Sequence, residues 1–232
     1  SPTPSPPPAE GPPTLGRDLM RRRIERHGRT LDAALASHAV EVATTGRIKV
    51  ALDLRHLPLE MNGTKMYALS LGKALAKLPE VELSMLAFHP LQAEGVDGRL
   101  VHPDDWADDV HIIHKPAQIF DPAHARLMFE SRAHVAVTHQ DLIAYRMAEA
   151  FNDEAVFDEH RQISRLVLPA MQAILTPSAN TAQEVEFEFA SLIDAGVVQP
   201  VHEGGDVEEF GPPTFDAEAE EVLARLGVSG PF

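Results

Sequence analysis

Hydrophobic residues follow two alternating patterns along this chain. Short, continuously apolar runs of strand length come between longer segments whose apolar residues lie three or four positions apart, as on the buried face of a helix. The predicted strands are residues 47–54, 81–88, 109–116, 134–140, 173–178 and 197–203. The predicted helices are residues 64–78, 122–130, 158–171, 180–193 and 215–226.

Strands that are apolar throughout and that alternate with helices indicate a parallel sheet with both faces covered. We therefore expect an α/β fold: a Rossmann-like parallel sheet with helices on both faces, preceded by an N-terminal helical extension. In such a sheet the ligand site lies at the carboxyl ends of the strands. The loops that follow the strands are therefore where chemistry is expected.

The first 46 residues differ from the rest of the chain. Residues 1–14 predict an extended Pro-rich tail, with seven prolines among the first 13 residues. Residues 15–46 predict a helical extension whose first half is crowded with arginine, and residues 47–232 predict one Rossmann-like domain. The Arg-rich segment is expected to dock on that domain; a peripheral contact with an anionic membrane is the alternative.

Charge and composition narrow the classes of partner. Residues 1–46 carry six arginines and five acidic residues, a balance of +1, and the remainder carries 14 basic and 30 acidic residues, a balance of −16. This distribution argues against general nucleic-acid binding, which needs a basic face. The chain has no cysteine, which excludes disulfides and thiolate metal sites. With no apolar run of membrane-spanning length, we expect a cytoplasmic protein.

The loop after the first predicted strand contains Asn62, Gly63 and Thr64, directly before a helix. Glycine lets a backbone approach a ligand closely, and a helix N-terminus offers free N–H groups to a phosphate or carboxylate. An ordinary turn, with Asn62 or Thr64 capping the helix, gives the same pattern. The glycine-rich nucleotide-binding fingerprints G-x-G-x-x-G and G-x-x-x-x-G-K-[ST] are absent, so a self-contained NAD or ATP site is not expected.

The fourth predicted strand ends in polar residues that include His139 and Asp141. A neutral imidazole can bond a sugar hydroxyl or a phosphate oxygen, and Asp141 could orient that imidazole. Alternatively, His139 bonds the backbone and Asp141 caps the next turn. No metal site is predicted, because His111 and His114, three apart on a strand, point to opposite faces.

Five segments taken together resemble a known family. They are RIKVALDL, YALSLGKALAKLPEVELSMLAF, VAVTHQDLIAY, AILTPSANTAQEVEFEF and VVQPVHEGGDVEEF, and they span residues 47–210. Their order is similar to that in the N-terminal, acceptor-binding half of retaining GT-B fold glycosyltransferases of the group 1 or family 4 type. Three departures are visible: the first loop has one glycine where the family often has two, Gln140 separates His139 from Asp141, and the G-V-D motif of the family reads Gly205-Asp206-Val207.

The resemblance implies two Rossmann-like domains that face each other across a cleft. The partners would be a nucleotide-sugar donor, as co-substrate without other cofactor, and an acceptor that is a sugar, a lipid or a small molecule. Gly63 with Asn62 and Thr64 would bind near the donor phosphate or the acceptor, and His139 with Asp141 would act near the transferred sugar. Because the sequence ends about where the donor domain would begin, we expect a fragment that is inactive alone.

Two other functions compete with a glycosyltransferase. The first is a non-catalytic Rossmann-like binding or scaffold module in which the Arg-rich helix docks a partner. The second is a complete small α/β enzyme, such as an esterase or a dehydrogenase. The missing G-x-S-x-G and dinucleotide fingerprints disfavour this last reading.

Overall fold

The computed structural model describes residues 32–194, 196–202, 204, 221–222, 224–225 and 227. The chain divides into two units, residues 1–201 and 202–232. In the second unit, residues 221–222 and 224–225 are helical. The Pro-rich tail, the Arg-rich half of the extension, the Gly205-Asp206-Val207 segment and most of the predicted last helix lie outside the described residues.

The first unit alternates strands and helices, as the hydrophobic pattern predicts. The strands are β1 (Ile48–Asp53), β2 (Val81–Leu86), β3 (Arg99–Val101), β4 (Ile112–Lys115), β5 (His134–Thr138), β6 (Ala173–Thr176) and β7 (Val198–Pro200). The helices are α1 (residues 32–45), α2 (Gly63–Ala76), α3 (Pro122–Glu130), α4 (Ile143–Arg146), α5 (Glu154–Val167) and α6 (Ala179–Phe189).

All seven strands form one sheet in the order β3-β2-β1-β4-β5-β6-β7, and every neighbouring pair is parallel. The predicted fold class, a Rossmann-like parallel α/β sheet, is confirmed. From β1 the chain first builds outward to β2 and β3, then returns to place β4 on the other side of β1. The strand order therefore reverses between β1 and β4, which is where ligands bind in open α/β sheets.

Helices cover both faces of the sheet, as consecutive residues of β1 show. Val50 and Leu52 pack in a cluster with Ala68 of α2, whereas Ala51 belongs to a second cluster that contains Met128 of α3. A strand that is buried on both faces has no polar side to keep in water, which explains the apolar run of residues 50–52. Within the described part of the chain, no helix is long and apolar enough to cross a membrane.

Two short elements were not predicted from the sequence. Strand β3 has three residues at the sheet edge, and α4 has four residues after β5. Neither is long enough to show a periodic pattern, so both are set by the tertiary neighbours that they pair with or pack against.

Candidate active site

The carboxyl ends of the parallel strands share one edge of the sheet, and the predicted site residues lie there. Asn62, Gly63 and Thr64 follow β1, and His139 and Asp141 follow β5. The two segments touch: the Thr64 hydroxyl donates a hydrogen bond to Gln140 Oε1 at 3.2 Å. The glycine turn and the histidine segment, 76 residues apart in sequence, therefore form one surface.

A second contact ties the same two elements together beneath this surface. The hydroxyls of Tyr67 in α2 and Thr138 in β5 lie 3.1 Å apart, and Thr138 Oγ1 also lies 2.8 Å from His114 Nε2. His114 is buried, and burial lowers its pKa to about 4. A hydrogen-bonded row of three side chains thus runs from β4 through β5 to α2 and holds the first turns of α2 against the sheet.

Gly63 begins α2, and Asn62 is the N-cap whose side-chain oxygen accepts from Lys65 N at 2.8 Å. The capping alternative drawn from the sequence is therefore correct for Asn62. A methyl group added at Gly63 would meet no atom within 4 Å, and the backbone there is not left-handed. The fold itself thus does not require glycine at residue 63, and a side chain at this position would project into open space.

His139 is buried where β5 ends. Its backbone N–H donates to Leu175 O at 2.8 Å, and its side chain is only 2% exposed. Burial, followed by the nearby His160, lowers its pKa to about 4, so the imidazole is neutral at pH 7. Its Nε2 is buried without a hydrogen-bond partner among the described residues. An unpaired ring nitrogen in such a position is free to bond a ligand or a bound water that reaches it.

Asp141 points its carboxylate into its own turn. Oδ1 accepts from Ile143 N at 2.8 Å, and the Asp141 backbone oxygen accepts from Gln118 Nε2 at 3.1 Å. The carboxylate therefore fixes the start of α4, as the capping alternative supposed, and its hydrogen bond goes to Ile143 rather than to His139. Through Gln118 the loop after β5 is also tied to the loop after β4.

A group of ionisable side chains lies where the strand order reverses. Asp53 and Lys115, the last residues of β1 and β4, are both fully buried. Arg55 donates to both carboxylate oxygens of Asp53, from Nε at 2.8 Å and from Nη2 at 2.9 Å. Lys115 Nζ lies 2.8 Å from His56 Nδ1 and 3.6 Å from Asp53 Oδ2. We call Asp53, Arg55, His56 and Lys115 the switch-point cluster.

Burial and mutual charge shift the pKa values of the residues in the switch-point cluster. Burial alone would raise the pKa of Asp53, but Lys115 and Arg55 outweigh it and hold the pKa well below its usual range. Burial and the charge of Lys115 lower the pKa of His56 to about 3, and burial lowers that of Lys115 despite the attraction of Asp53. This cluster was not predicted from the sequence, although Asp53 and Lys115, like His139, are polar residues at the end of an apolar strand.

Two aromatic rings lie next to a histidine near the carboxyl edge of the sheet. Phe120, after β4, is 43% exposed and stacks on His160 of α5 with ring centres 4.4 Å apart; Phe151 lies 5.6 Å from the same imidazole. An exposed ring beside neutral imidazoles gives a ligand a flat apolar surface next to hydrogen-bonding groups, as small-molecule sites usually do.

Helix α1 contacts the opposite, amino end of the strands. Glu41 pairs with Lys49 at 2.8 Å and with His111 Nε2 at 3.3 Å, and His38 packs its ring on that of His111. A cleft of about 490 Å³ lies beside this contact. Among the described residues, no group of three or more histidine or acidic side chains is arranged to hold a metal ion.

No protein-family model and no curated protein sequence matches this chain. A solved structure does: the chain is similar to a sucrose-phosphate synthase from Thermosynechococcus elongatus, with a TM-score of 0.50 and 15% sequence identity. The match covers 79% of this chain and 53% of the other, so the chain spans about half the length of that protein. The similarity shows a glycosyltransferase-like fold, of the Rossmann type that forms one half of a GT-B enzyme.

Proposed function

We propose that this chain is the acceptor-binding half of a glycosyltransferase that uses a nucleotide-sugar donor and retains the anomeric configuration. The observation that carries the proposal is the contact between Thr64 and Gln140, which brings the open N-terminus of α2 beside the segment of His139. The similarity in fold to part of a sucrose-phosphate synthase supports it. The donor would be held chiefly by a second domain.

In this proposal the N-terminus of α2 stabilises the leaving diphosphate. The first N–H groups of a helix lack partners and carry partial positive charge, so they favour an anion. Asn62 accepts from the N–H of Lys65, so the N–H groups of Gly63 and Thr64 are the ones that would face the diphosphate, and Gly63 places no side chain beside them. Retaining transfer needs this stabilisation as the bond to the diphosphate breaks, and positioning of the acceptor supplies much of the remainder.

His139 would hold a hydroxyl of the transferred sugar or of the acceptor. Because the imidazole is neutral at pH 7, one ring nitrogen can accept and the other can donate. Its buried environment makes that bond stronger than it would be in water. Asp141 acts through the backbone, since it fixes the turn that follows His139.

The test uses the longest natural polypeptide that contains this sequence, incubated with a panel of uridine, guanosine and adenosine diphosphate sugars. We expect release of the nucleoside diphosphate and a glycoside whose anomeric configuration, read by NMR coupling constants, equals that of the donor. Gly63→Ala should lower kcat/KM without loss of stability. Ser70→Ala, an exposed change on the same helix, should alter neither.

Inversion at the anomeric carbon would refute the retaining mechanism. Unaltered kcat/KM in Gly63→Ala would remove the role given to α2. If no donor in the panel is bound or turned over, the alternative of a non-catalytic binding module gains support. In that case, deletion of residues 1–46 should abolish partner binding while the sheet stays folded.

A further inference from the structure

The switch-point cluster has no part in the transfer step described above. We propose that it is a binding site for an anionic group, a phosphate or a carboxylate, carried by the acceptor. The assignment of the anion to the acceptor rests on the proposed function. The anion site itself rests on the charges and hydrogen bonds of Asp53, Arg55, His56 and Lys115.

The charges in the switch-point cluster are not balanced. Arg55 occupies both oxygens of Asp53 in a two-point ion pair, which satisfies that carboxylate. Lys115 is left with a longer approach of 3.6 Å to the same carboxylate, although its side chain is fully buried. Among these four residues two cations thus face one anion, and Asp121, whose side chain is half exposed, adds only a weaker attraction to Lys115. A buried cation without full compensation is unfavourable. A second anion would restore the balance.

The His56 ring in the same cluster lacks one hydrogen bond. The Lys115 ammonium has no acceptor capacity, so it donates to His56 Nδ1. The proton of the neutral His56 ring must therefore be on Nε2. That nitrogen is buried and has no partner among the described residues. Buried donors are nearly always paired, and an oxygen of a phosphate or carboxylate would pair this one.

The switch-point cluster can be reached by a ligand and is held rigidly. Asp53 and Lys115 are fully buried and the Arg55 side chain is only 7% exposed, but His56 keeps part of its surface exposed, so the cluster is reached past His56, in the loop after β1. That loop is fixed by Gln92, whose Nε2 donates to Arg55 O at 3.1 Å and to Leu57 O at 2.6 Å. The cations are held in place before any ligand arrives, which lowers the entropic cost of binding.

The location suits an acceptor. The cluster lies at the ends of β1 and β4, where the strand order reverses, and β4 separates it from β5 and His139. Neighbouring strands are about 4.8 Å apart, so β1 and β5 are about 10 Å apart. A small hydroxylated molecule that carries an anion at one end could place its anion on the cluster and its hydroxyl beside His139.

The test is binding to the 232-residue chain, measured by isothermal titration calorimetry and thermal unfolding at constant ionic strength set with sodium chloride. The probes are inorganic phosphate, glucose 6-phosphate, glucuronate, glucose and uridine diphosphate. We expect saturable binding of glucose 6-phosphate or glucuronate, with a matching rise in Tm, and no binding of glucose. Lys115→Met should weaken that binding about tenfold or more, because it removes a charge-assisted hydrogen bond.

Lys73→Met, which removes an exposed lysine on α2, is the matched control and should bind like the unmodified chain. If Lys115→Met does not fold, the comparison of glucose 6-phosphate with glucose on the unmodified chain still decides. The inference is overturned if neither anionic sugar binds saturably, or if Lys115→Met and the unmodified chain bind alike. Binding of uridine diphosphate alone would overturn the assignment to the acceptor.

The proposed transferase function and the proposed anion site can each be refuted without the other. If anionic sugars bind to the switch-point cluster but the longer polypeptide transfers no sugar, the anion site stands and the proposed transferase function falls. If sugar transfer is found with neutral acceptors and no anion binds this chain, the transferase function stands and the anion site falls.

Discussion

Acidification should destabilise this protein through the histidines buried at the carboxyl edge of the sheet. His114 and His139 are 6% and 2% exposed, and burial lowers the pKa of each to about 4 from an ordinary value of 6.5. Between about pH 4 and pH 6.5, these two histidines are protonated in the unfolded chain but neutral in the folded chain. Folding stability therefore falls as the pH is lowered from about 6.5 to about 4, and it is unaffected by these groups above that range.

The magnitude follows from the linkage relation. At pH 5 each of these two histidines lowers the free energy of unfolding by about 2 kcal/mol relative to pH 8. Near the middle of the range, the slope is about 1.2 kcal/mol per pH unit for each side chain. For a domain with a typical stability of about 5–15 kcal/mol, the two together are a large fraction of the total.

The assay is urea denaturation followed by circular dichroism at a series of pH values from 4.5 to 8. His139→Gln removes one buried titrating group, so the slope of unfolding free energy against pH should become shallower by about 1.2 kcal/mol per pH unit near pH 5. Ser70→Ala, at an exposed position without a titrating group, is the control and should leave the slope unchanged. The slope is informative even if His139→Gln changes the stability at pH 8. An unchanged slope in His139→Gln would refute the placement of His139 as a buried neutral imidazole.

Three further predictions concern stability measured by urea denaturation at pH 7.5. Asp53→Ala should cost about 3–5 kcal/mol, because it leaves Arg55 and Lys115 without their shared carboxylate; a loss below 1 kcal/mol would mean that the ion pairs are not formed. Asn62→Ala should cost about 1 kcal/mol through loss of the α2 cap, whereas Asn62→Asp should retain most of it; equal losses would exclude capping. Gly72→Ala should cost about 1–3 kcal/mol, since its methyl group would lie 2.9 Å from a methyl carbon of Val96, and Gly63→Ala should cost nothing; the reverse order would contradict the packing around α2.

Much of the fold was predictable because its signals are local. The apolar run of residues 50–52 in β1 predicts a strand buried on both faces, and the capping asparagine before Gly63 marks the start of α2. Helix α3 was predicted with the bounds that the structure shows, residues 122–130, and the structure shows Asp121 as its N-cap with Pro122 in the first turn. The edge strand β3 was not predictable, since three residues become a strand only through their pairing with β2.

The candidate site, like the fold, was predictable from the sequence only in part. From the sequence alone came the α/β class, the parallel sheet and the polar residues after β5, because strand and helix periodicities and the rule of the carboxyl edge depend only on residue order. Tertiary structure decided which strand ends are neighbours: it placed β4 beside β1, and so brought Lys115 to Asp53 and Arg55. It also decided that His139 is buried and that Asp141 bonds its own turn, since burial and hydrogen-bond partners depend on contacts between segments distant in sequence.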